Sequence, residues 1–227
     1  MRFSIIMPVL NEERVLPTQL AHLAGLCGPH DCELLIVDGG SSDQTVAIAC
    51  EYGQVIHAPR GRAGQMNTGA AMASGDALLF LHADTWLPTD TFDAIERALA
   101  NPGVVGGAFR LRFDCARWPY RLVAFSTNLR SRLRGSFTGD QAYFVRAQSF
   151  RAAGGYPELP LMEDLEIITR LRAIGKVVLV PAYVTTSARR HERVGLLSSV
   201  LLMWLLRTLY TFGVSPARLQ RMYLDVR

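Results

Sequence analysis

Six short clusters in this sequence carry residue types that can do chemistry. The first is PVLNEE, Pro8 to Glu13, directly after an apolar run. Its polar side chains can meet a base or a phosphate. The same residues also suit a helix start, with Asn11 as cap and two acids in the first turn. The second is VDGGSSDQT, Val37 to Thr45. Asp38 closes a hydrophobic segment, where its carboxylate can accept the imide N–H of a uracil or the equivalent N–H of a guanine. Gly39 and Gly40 permit a tight turn, and Ser41, Ser42 and Asp43 are equally able to cap the next helix.

The third cluster, RGRAGQMNTGAA, runs from Arg60 to Ala71. Its arginines and amide-rich helix start suit phosphate, which helix N-termini attract. Its glycine spacing is not that of a P-loop. The fourth is LHADT, Leu81 to Thr85. A hard divalent cation bound to phosphates needs only one or two protein carboxylates, and Asp84 can be one; Asp84 can equally be a turn aspartate ahead of Pro88. The fifth, MEDLE, spans Met162 to Glu166. Glu163 and Asp164 fit a helix N-terminus electrostatically, and an ionised carboxylate there also suits a general base. The sixth, SARRHERVG, groups Arg189, Arg190, His191 and Arg193 ahead of an apolar tail. It reads as an anion-facing group, a solvated basic patch or a membrane-flanking cluster.

These clusters need elements to hold them. Short apolar runs at Phe3–Val9, Glu33–Val37, Gln54–Ala58 and Ala77–Leu81 read as strands. Between and after them lie helical stretches at Glu13–Leu26, Asp43–Tyr52, Ala63–Ala73 and Thr89–Ala100. That rhythm predicts a parallel sheet with crossover helices. In such sheets ligands bind beyond the carboxyl ends of the strands, where NEE, DGGSSD and HAD fall. After Pro102 the rhythm changes. Val105–Phe113 and Asp140–Arg146 read as strands, Cys115–Arg134 and Leu161–Ile174 as helices, and Val177–Val180 as a short strand. Leu165, Ile168 and Leu171 mark one apolar helix face. The expected division is 1–194 as one domain, with halves 1–101 and 102–194, and 195–227 as an apolar helical extension.

The extension begins GLLSSVLLMWLL and is then interrupted by Arg207. It is shorter than the roughly 18 apolar residues that mark a membrane span. It reads as a buried or self-associating helix, or as a helix lying on a membrane surface.

Composition agrees with a globular protein: 227 residues, 49% hydrophobic and 19% charged. The net charge of +4 fits an anionic substrate or membrane surface. No basic block is interleaved with aromatic residues, so nucleic acid is not an expected partner. The four cysteines lack zinc-type spacing and read as reduced packing residues. The N-terminus runs straight into a strand pattern with too short an apolar run for a signal peptide, so the expected location is cytoplasmic or peripheral on the inner face of the membrane.

Taken in order, PVLNEE, VDGGSSDQT, RGRAGQMNTGA, FLHADT and GDQAYFVRAQSFRAAGGYPELPLMEDLEI resemble the family 2 glycosyltransferases, up to about Gly195. The sequence is most similar to a small bacterial subgroup associated with radical-enzyme and selenium-related gene neighbourhoods, also described as arsenosugar biosynthesis glycosyltransferases. The resemblance implies an α/β protein with the GT-A nucleotide-diphospho-sugar transferase fold: a mixed, mostly parallel central sheet, flanking helices and the C-terminal apolar helical segment. It implies that Pro8, Val9, Glu12 and Asp38 surround the nucleoside of a UDP- or GDP-sugar, UDP favoured. It places Arg60, Gly64 and Asn67 over the nucleotide, and His82, Ala83 and Asp84 at the Asp-any-Asp motif, with His in the first position. Asp84 and His191 are the implied ligands of Mn²⁺ or Mg²⁺. Gly139, Asp140 and Gln141 would border an unidentified small-molecule or lipid acceptor, Asp164, or Glu163 in its stead, would be the base, and Arg190 and His191 would close over the diphosphate. Arg190 is followed by His191 rather than tryptophan, unlike the processive synthases.

The implied function is a metal-assisted, inverting, non-processive transfer to a hydroxyl. Two alternatives stand beside it: a catalytically degenerate binder of sugar nucleotides, and a sugar-nucleotide nucleotidyltransferase, although the latter would want a glycine-rich loop with Arg and Lys where PVLNEE stands. A dehydrogenase would want GxGxxG there. The C-terminal helix is expected to contact a membrane surface or a second copy of the chain.

Overall fold

The structure, a computed structural model, describes residues 1–225, the side chains of Arg190, Arg193, Val194, Leu224 and Asp225 excepted. Four strands form its first half: β1 (Phe3–Val9), β2 (Cys32–Asp38), β3 (Gln54–His57) and β4 (Ala77–Phe80). They run parallel in the order β3-β2-β1-β4. Helices α1 (Leu16–Cys27), α2 (Thr45–Ala49) and α3 (Arg62–Met72) make the crossovers that parallel neighbours require.

The second half is woven into the same sheet. β5 (Thr85–Trp86), α4 (Thr91–Leu99), β6 (Val104–Phe113) and α5 (Trp118–Arg134) precede a short 3-10 helix at Gly139–Gln141. β7 (Tyr143–Arg146), α6 (Ala147–Ala152), α7 (Glu163–Ile174) and β8 (Lys176–Thr186) follow, then α8 (Arg189–Val194), α9 (Leu196–Thr211) and α10 (Pro216–Asp225). β7 lies between β4 and β6, antiparallel to both, and β6, β8 and β5 complete the eight-stranded mixed sheet.

Strand alternation divides the core between the two faces. Ile5 and Met7 pack with Leu16, Leu20 and Leu23 of α1 and Phe92, Ile95 and Leu99 of α4. Ile6 packs on the other face with Met66 and Ala70 of α3, Phe150 of α6, and Ile167, Ile168 and Leu171 of α7. α3 sits so close to the sheet that a Cβ on Gly69 would come within 2.5 Å of the Ile6 Cγ2 methyl. A third cluster joins Leu206 of α9 and Leu219 and Tyr223 of α10 to Leu161 and Met162 at the start of α7. Leu165 of α7 packs against this cluster rather than the sheet.

Several boundaries differ from the expected ones. Asp140 and Gln141 are not strand but part of the 3-10 turn, which Ala142 ends at a positive φ of 39°. The Val177–Val180 strand is in fact the eleven-residue β8, because β6 pairs with it in parallel at both ends, from Lys176 to Leu179 and from Tyr183 to Thr186, with a register shift between. Pro181 and polar threonines hid that continuity. β5, α6 and α8 were not expected, and α10 falls within the expected helical extension. Cys27 and Cys32 lie with their Sγ atoms 2.7 Å apart, tying the end of α1 to the start of β2. Among the described residues no helix is long and apolar enough to cross a membrane.

Candidate active site

β1, β2 and β4 end at one edge of the sheet, so the loops that follow them meet there. Asp38 is buried at the end of β2. Its carboxylate accepts hydrogen bonds from the Gly40 N–H (2.9 Å) and the Ser41 N–H (3.1 Å), and His57 Nδ1 lies 3.6 Å away. Burial pushes Asp38 up, but these donors outweigh it and hold the carboxyl below its ordinary range. Asp38 therefore shapes the Gly39–Ser42 turn as well as standing beside it. Asn11 is no cap of α1. It sits at φ 55° and its side-chain oxygen accepts from the Ser42 N–H at 2.8 Å, locking the β1 and β2 loops together.

Gln65 of α3 completes this edge and carried no signal of its own in the sequence. Its buried amide donates to Val9 O (3.0 Å) and Val37 O (2.8 Å), pinning the last residues of β1 and β2 to one helix. Pro8 is half-buried and Val9 is core, so backbone and neighbours set what this edge presents. Arg60 is exposed on the loop before α3, and Gly64 lies within that helix.

Beyond β4, His82, Ala83 and Asp84 turn into β5. Ala83 is buried in the core. His82 Nδ1 lies 3.1 Å from Asp140 Oδ1 of the 3-10 turn. A Cβ on Gly139 would meet His82 Cε1 at 2.6 Å, so the turn and the imidazole fit only because residue 139 is glycine. Asp84 has its carboxyl raised above the ordinary range, first by burial and then by the Asp140 charge, while His82 and Arg189 pull it down. Glu12 is raised by burial and by Asp84. Glu12, Asp84 and Asp140 thus share one locality, where burial first and neighbouring carboxylates second disfavour the ionised forms of Glu12 and Asp84, an environment that a divalent cation relieves.

α7 begins after Met162, held at φ 70°. Glu163 is nearly buried and its Oε1 lies 3.6 Å from Arg62 Nε at the start of α3. Burial raises the Glu163 carboxyl, the Arg62 charge lowers it, and Asp164 raises it again. Asp164 accepts the Gly139 N–H at 3.2 Å on one oxygen and the Leu165 N–H at 2.9 Å on the other. One cleft of about 610 Å³ is lined by His82, Asp84, Gly139, Asp140, Glu163, Asp164 and His191. His191 Nδ1 lies 2.6 Å from Ser199 Oγ, and its ring stands edge-on to Phe113. Among the described residues no group of three His, Cys, Asp or Glu side chains is placed to hold a metal ion by itself.

The sequence model of the Glycosyl transferase family 2 family matches residues 4–153. The chain belongs to glycosyl transferase family 2. This family 2 member is 44% identical over 91 residues to a PGL/p-HBAD biosynthesis glycosyltransferase of Mycobacterium bovis, covering 36% of this chain and 35% of that one. It is 30% identical over 159 residues to the undecaprenyl-phosphate 4-deoxy-4-formamido-L-arabinose transferase of Pseudomonas fluorescens, covering 63% of this chain and 46% of the relative. The chain thus spans about a third to a half of the curated relatives it matches. Its fold is that of the mannosyltransferase PcManGT from Pyrobaculum calidifontis, solved with GDP-Man and Mn²⁺, at TM-score 0.67 and 20% identity over 97% of this chain and 67% of that one. S. aureus TarS 1-349, solved with UDP-GlcNAc, gives TM-score 0.64 and 17% identity over 82% of this chain and 58% of that one. The GT-A fold follows.

Two expected site residues of the glycosyltransferase lie elsewhere. Gln141 is fully buried and does not border the cleft: its amide donates to Phe109 O and its oxygen accepts from Ser131 and Thr138. Asn67 exchanges both side-chain groups with the Tyr156 backbone, at 2.8 and 2.9 Å, and so fixes the loop before α7. The Arg190 side chain lies outside the described residues. Among the described side chains, Arg189 places its charge within reach of Glu12 and Asp84.

Proposed function

We propose that this chain transfers a sugar from a uridine or guanosine diphosphate sugar, uridine preferred, to a hydroxyl acceptor, in one inverting and non-processive step. The observation that carries the reading is the meeting of Asp84, the His82–Asp140 pair and the α7 carboxylates Glu163 and Asp164 in one cleft, at the strand edge that Asp38 and Glu12 share. UDP-GlcNAc and GDP-Man in the structural neighbours support the donor class. The Gly39–Ser42 turn and Pro8 would receive the base, with Arg60 and the α3 start over the nucleotide.

Asp84, with His191 as second donor, would hold the divalent cation, and Asp140 supplies beside it the carboxylate that position 82 lacks. Mn²⁺ or Mg²⁺, when bound, supplies positive charge to the departing diphosphate. Arg189 and His191 add cationic and hydrogen-bonding groups on the same side. Asp164, held by two backbone N–H groups, takes the proton from the acceptor hydroxyl as it attacks the anomeric carbon. Glu163 is engaged by Arg62 and anchors the helix that presents Asp164. The resemblance to the bacterial arsenosugar-type subgroup belongs to the same proposal.

Peripheral attachment at the cytoplasmic membrane face is part of this reading. Trp118, Leu122, Phe125, Leu129 and Leu133 form one exposed stripe along α5, and Leu197, Leu201, Trp204 and Leu205 are exposed on α9. Patches of this kind mark interaction surfaces, and Arg117, Arg121, Arg132 and Arg134 flank the α5 stripe. Sedimentation with phosphatidylglycerol vesicles tests it; a monomer that stays in the supernatant refutes it.

The test of function is a thermal-shift screen of nucleotide sugars with Mn²⁺ or chelator, followed by assay of nucleoside diphosphate release. A UDP- or GDP-sugar at a hundredfold its Kd should stabilise the fold by about 2.7 kcal/mol. Binding without release would indicate a degenerate member. Pyrophosphate released from a nucleoside triphosphate and a sugar phosphate would indicate a nucleotidyltransferase.

A further inference from the structure

The cleft continues past Asp164 between α5 and α9, and its character changes there. Leu129, Leu133, Leu202, Met203 and Trp204 line it. Into this apolar end come two guanidinium groups, Arg130 from α5 and Arg207 from α9. Nε and Nη2 of Arg130 and Nε of Arg207 are buried with no hydrogen-bond partner among the described residues. Among the described residues neither side chain forms an ion pair within 4 Å. Burial, then the Arg207 charge, lowers Arg130 to about 10, with Asp164 the opposing influence. Two like charges held close together and partly buried, with no partner for these nitrogens among the described residues, are costly in a native fold. Packing does not call for them, since Leu or Met would fill the same space. Arg forks suit phosphate oxygens.

We propose that Arg130 and Arg207 form the seat for a phosphate group on the acceptor, whose apolar part lies along the leucines and Trp204 between α5 and α9. The acceptor is then an amphipathic phosphate whose head carries, beside the phosphate, the hydroxyl that would give its proton to Asp164, and whose hydrocarbon body leaves the cleft where the exposed faces of α5 and α9 begin. The role as acceptor seat rests on the glycosyltransferase reading above; the existence of an anion seat does not. The same head group could come from a soluble phosphate ester, and the apolar lining favours the lipid.

Calorimetric titration of the full chain with octyl phosphate, octyl glucoside and inorganic phosphate tests the assignment. Octyl phosphate should bind at least 10-fold more tightly than either control, and tightness should fall with added NaCl. Arg130→Met and Arg207→Met should each weaken it roughly 10- to 100-fold, the range for a hydrogen bond to a charged group, with Arg130→Lys intermediate. Both Met variants should melt no lower than the parent, because each removes an unpartnered charge. Should a variant fail to fold, the ligand series and salt dependence on the unaltered chain still decide. Equal binding of octyl phosphate and octyl glucoside would overturn the seat, as would unchanged affinity in both variants. Inorganic phosphate binding as tightly as octyl phosphate would overturn the amphipathic acceptor. Displacement of octyl phosphate by UDP would assign the arginines to the donor diphosphate and overturn the proposal. Failure of UDP to bind while octyl phosphate binds would refute the donor reading and leave the anion seat standing.

Discussion

Asp164→Asn separates the proposed base from its scaffold. The carboxylate accepts the Gly139 N–H at 3.2 Å and the Leu165 N–H at 2.9 Å. An asparagine keeps the shape but has one acceptor oxygen, so its NH₂ must face one of these donors. Losing one charged hydrogen bond and a helix-start charge should cost about 1–3 kcal/mol of stability. Losing the base should cost more in turnover, about 100- to 10,000-fold, or roughly 3–5 kcal/mol of barrier. The assay needs no identified acceptor: slow hydrolysis of the sugar nucleotide, with water attacking, is followed by diphosphate release. UDP affinity by calorimetry should hold within about 2-fold, since the proposed role gives Asp164 no contact with the donor's base or phosphates. Glu163→Gln is the control. It removes a carboxylate one residue away that is paired with Arg62 at 3.6 Å, so it should loosen the fold by about 1 kcal/mol and slow turnover far less. Equal turnover losses in the two variants would refute the assignment of roles, and a product that retains the anomeric configuration would refute the single displacement.

Glu12 and Asp84 are both raised, so the folded chain holds their protons more firmly than the unfolded chain does. Their contribution to stability therefore falls as pH climbs from the ordinary carboxylate range through the raised values, and a bound cation offsets this. The rise in Tm with Mn²⁺ and UDP should be larger at about pH 7 than at about pH 5, and an equal rise would count against Asp84 as the ligand. Gly139→Ala places a methyl 2.6 Å from His82 Cε1; it should cost about 1–3 kcal/mol by chemical denaturation and reduce diphosphate release. Gln65→Ala removes the donor to Val37 O, while Val9 O keeps the Gly39 N–H at 3.0 Å. A loss of about 1–3 kcal/mol and weaker UDP binding are expected, and unchanged calorimetry would remove Gln65 from site positioning. Asp38→Ala should weaken UDP by about 1.5–3 kcal/mol, in part through collapse of the Gly40–Ser41 turn; wild-type affinity would exclude Asp38 from the nucleoside site.

The first half of the fold was legible because its signals are local. Apolar runs at Phe3–Val9 and Ala77–Phe80 are buried on both faces, and the helices between them carry clear periodicity. The second half was read less well for a physical reason. β8 contains Pro181 and two threonines, and becomes a strand through pairing with β6 that no window of sequence contains. Asp140 and Gln141 sit inside what resembles a strand, yet the Thr138–Gln141 capping box turns them into a 3-10 helix. That turn decides their roles, sending Asp140 to His82 and Gln141 into the core.

The same locality governs what could be seen of the site. His82 looked like a missing carboxylate because sequence shows only what adjoins it along the chain. Across the sheet, Asp140 arrives 58 residues later and stands 3.1 Å from the imidazole, with its charge felt at Asp84. The seam between β4 and β7 makes that approach possible: it is where β7 joins the first four parallel strands in the antiparallel sense, so residues following β4 meet residues preceding β7. Asp164 reaches the same place through the Gly139 N–H, and Arg130 and Arg207 come from helices that flank it. The acids that would serve the donor and the base that would serve the acceptor are therefore set by one junction in the sheet. A shift of the Gly139 turn would move His82, Asp140 and Asp164 together, whereas the Asp38 edge is held separately by Gln65 and Asn11. Donor affinity and turnover should consequently respond to different substitutions, and a Gly139 variant that lost UDP binding as fully as turnover would contradict that separation.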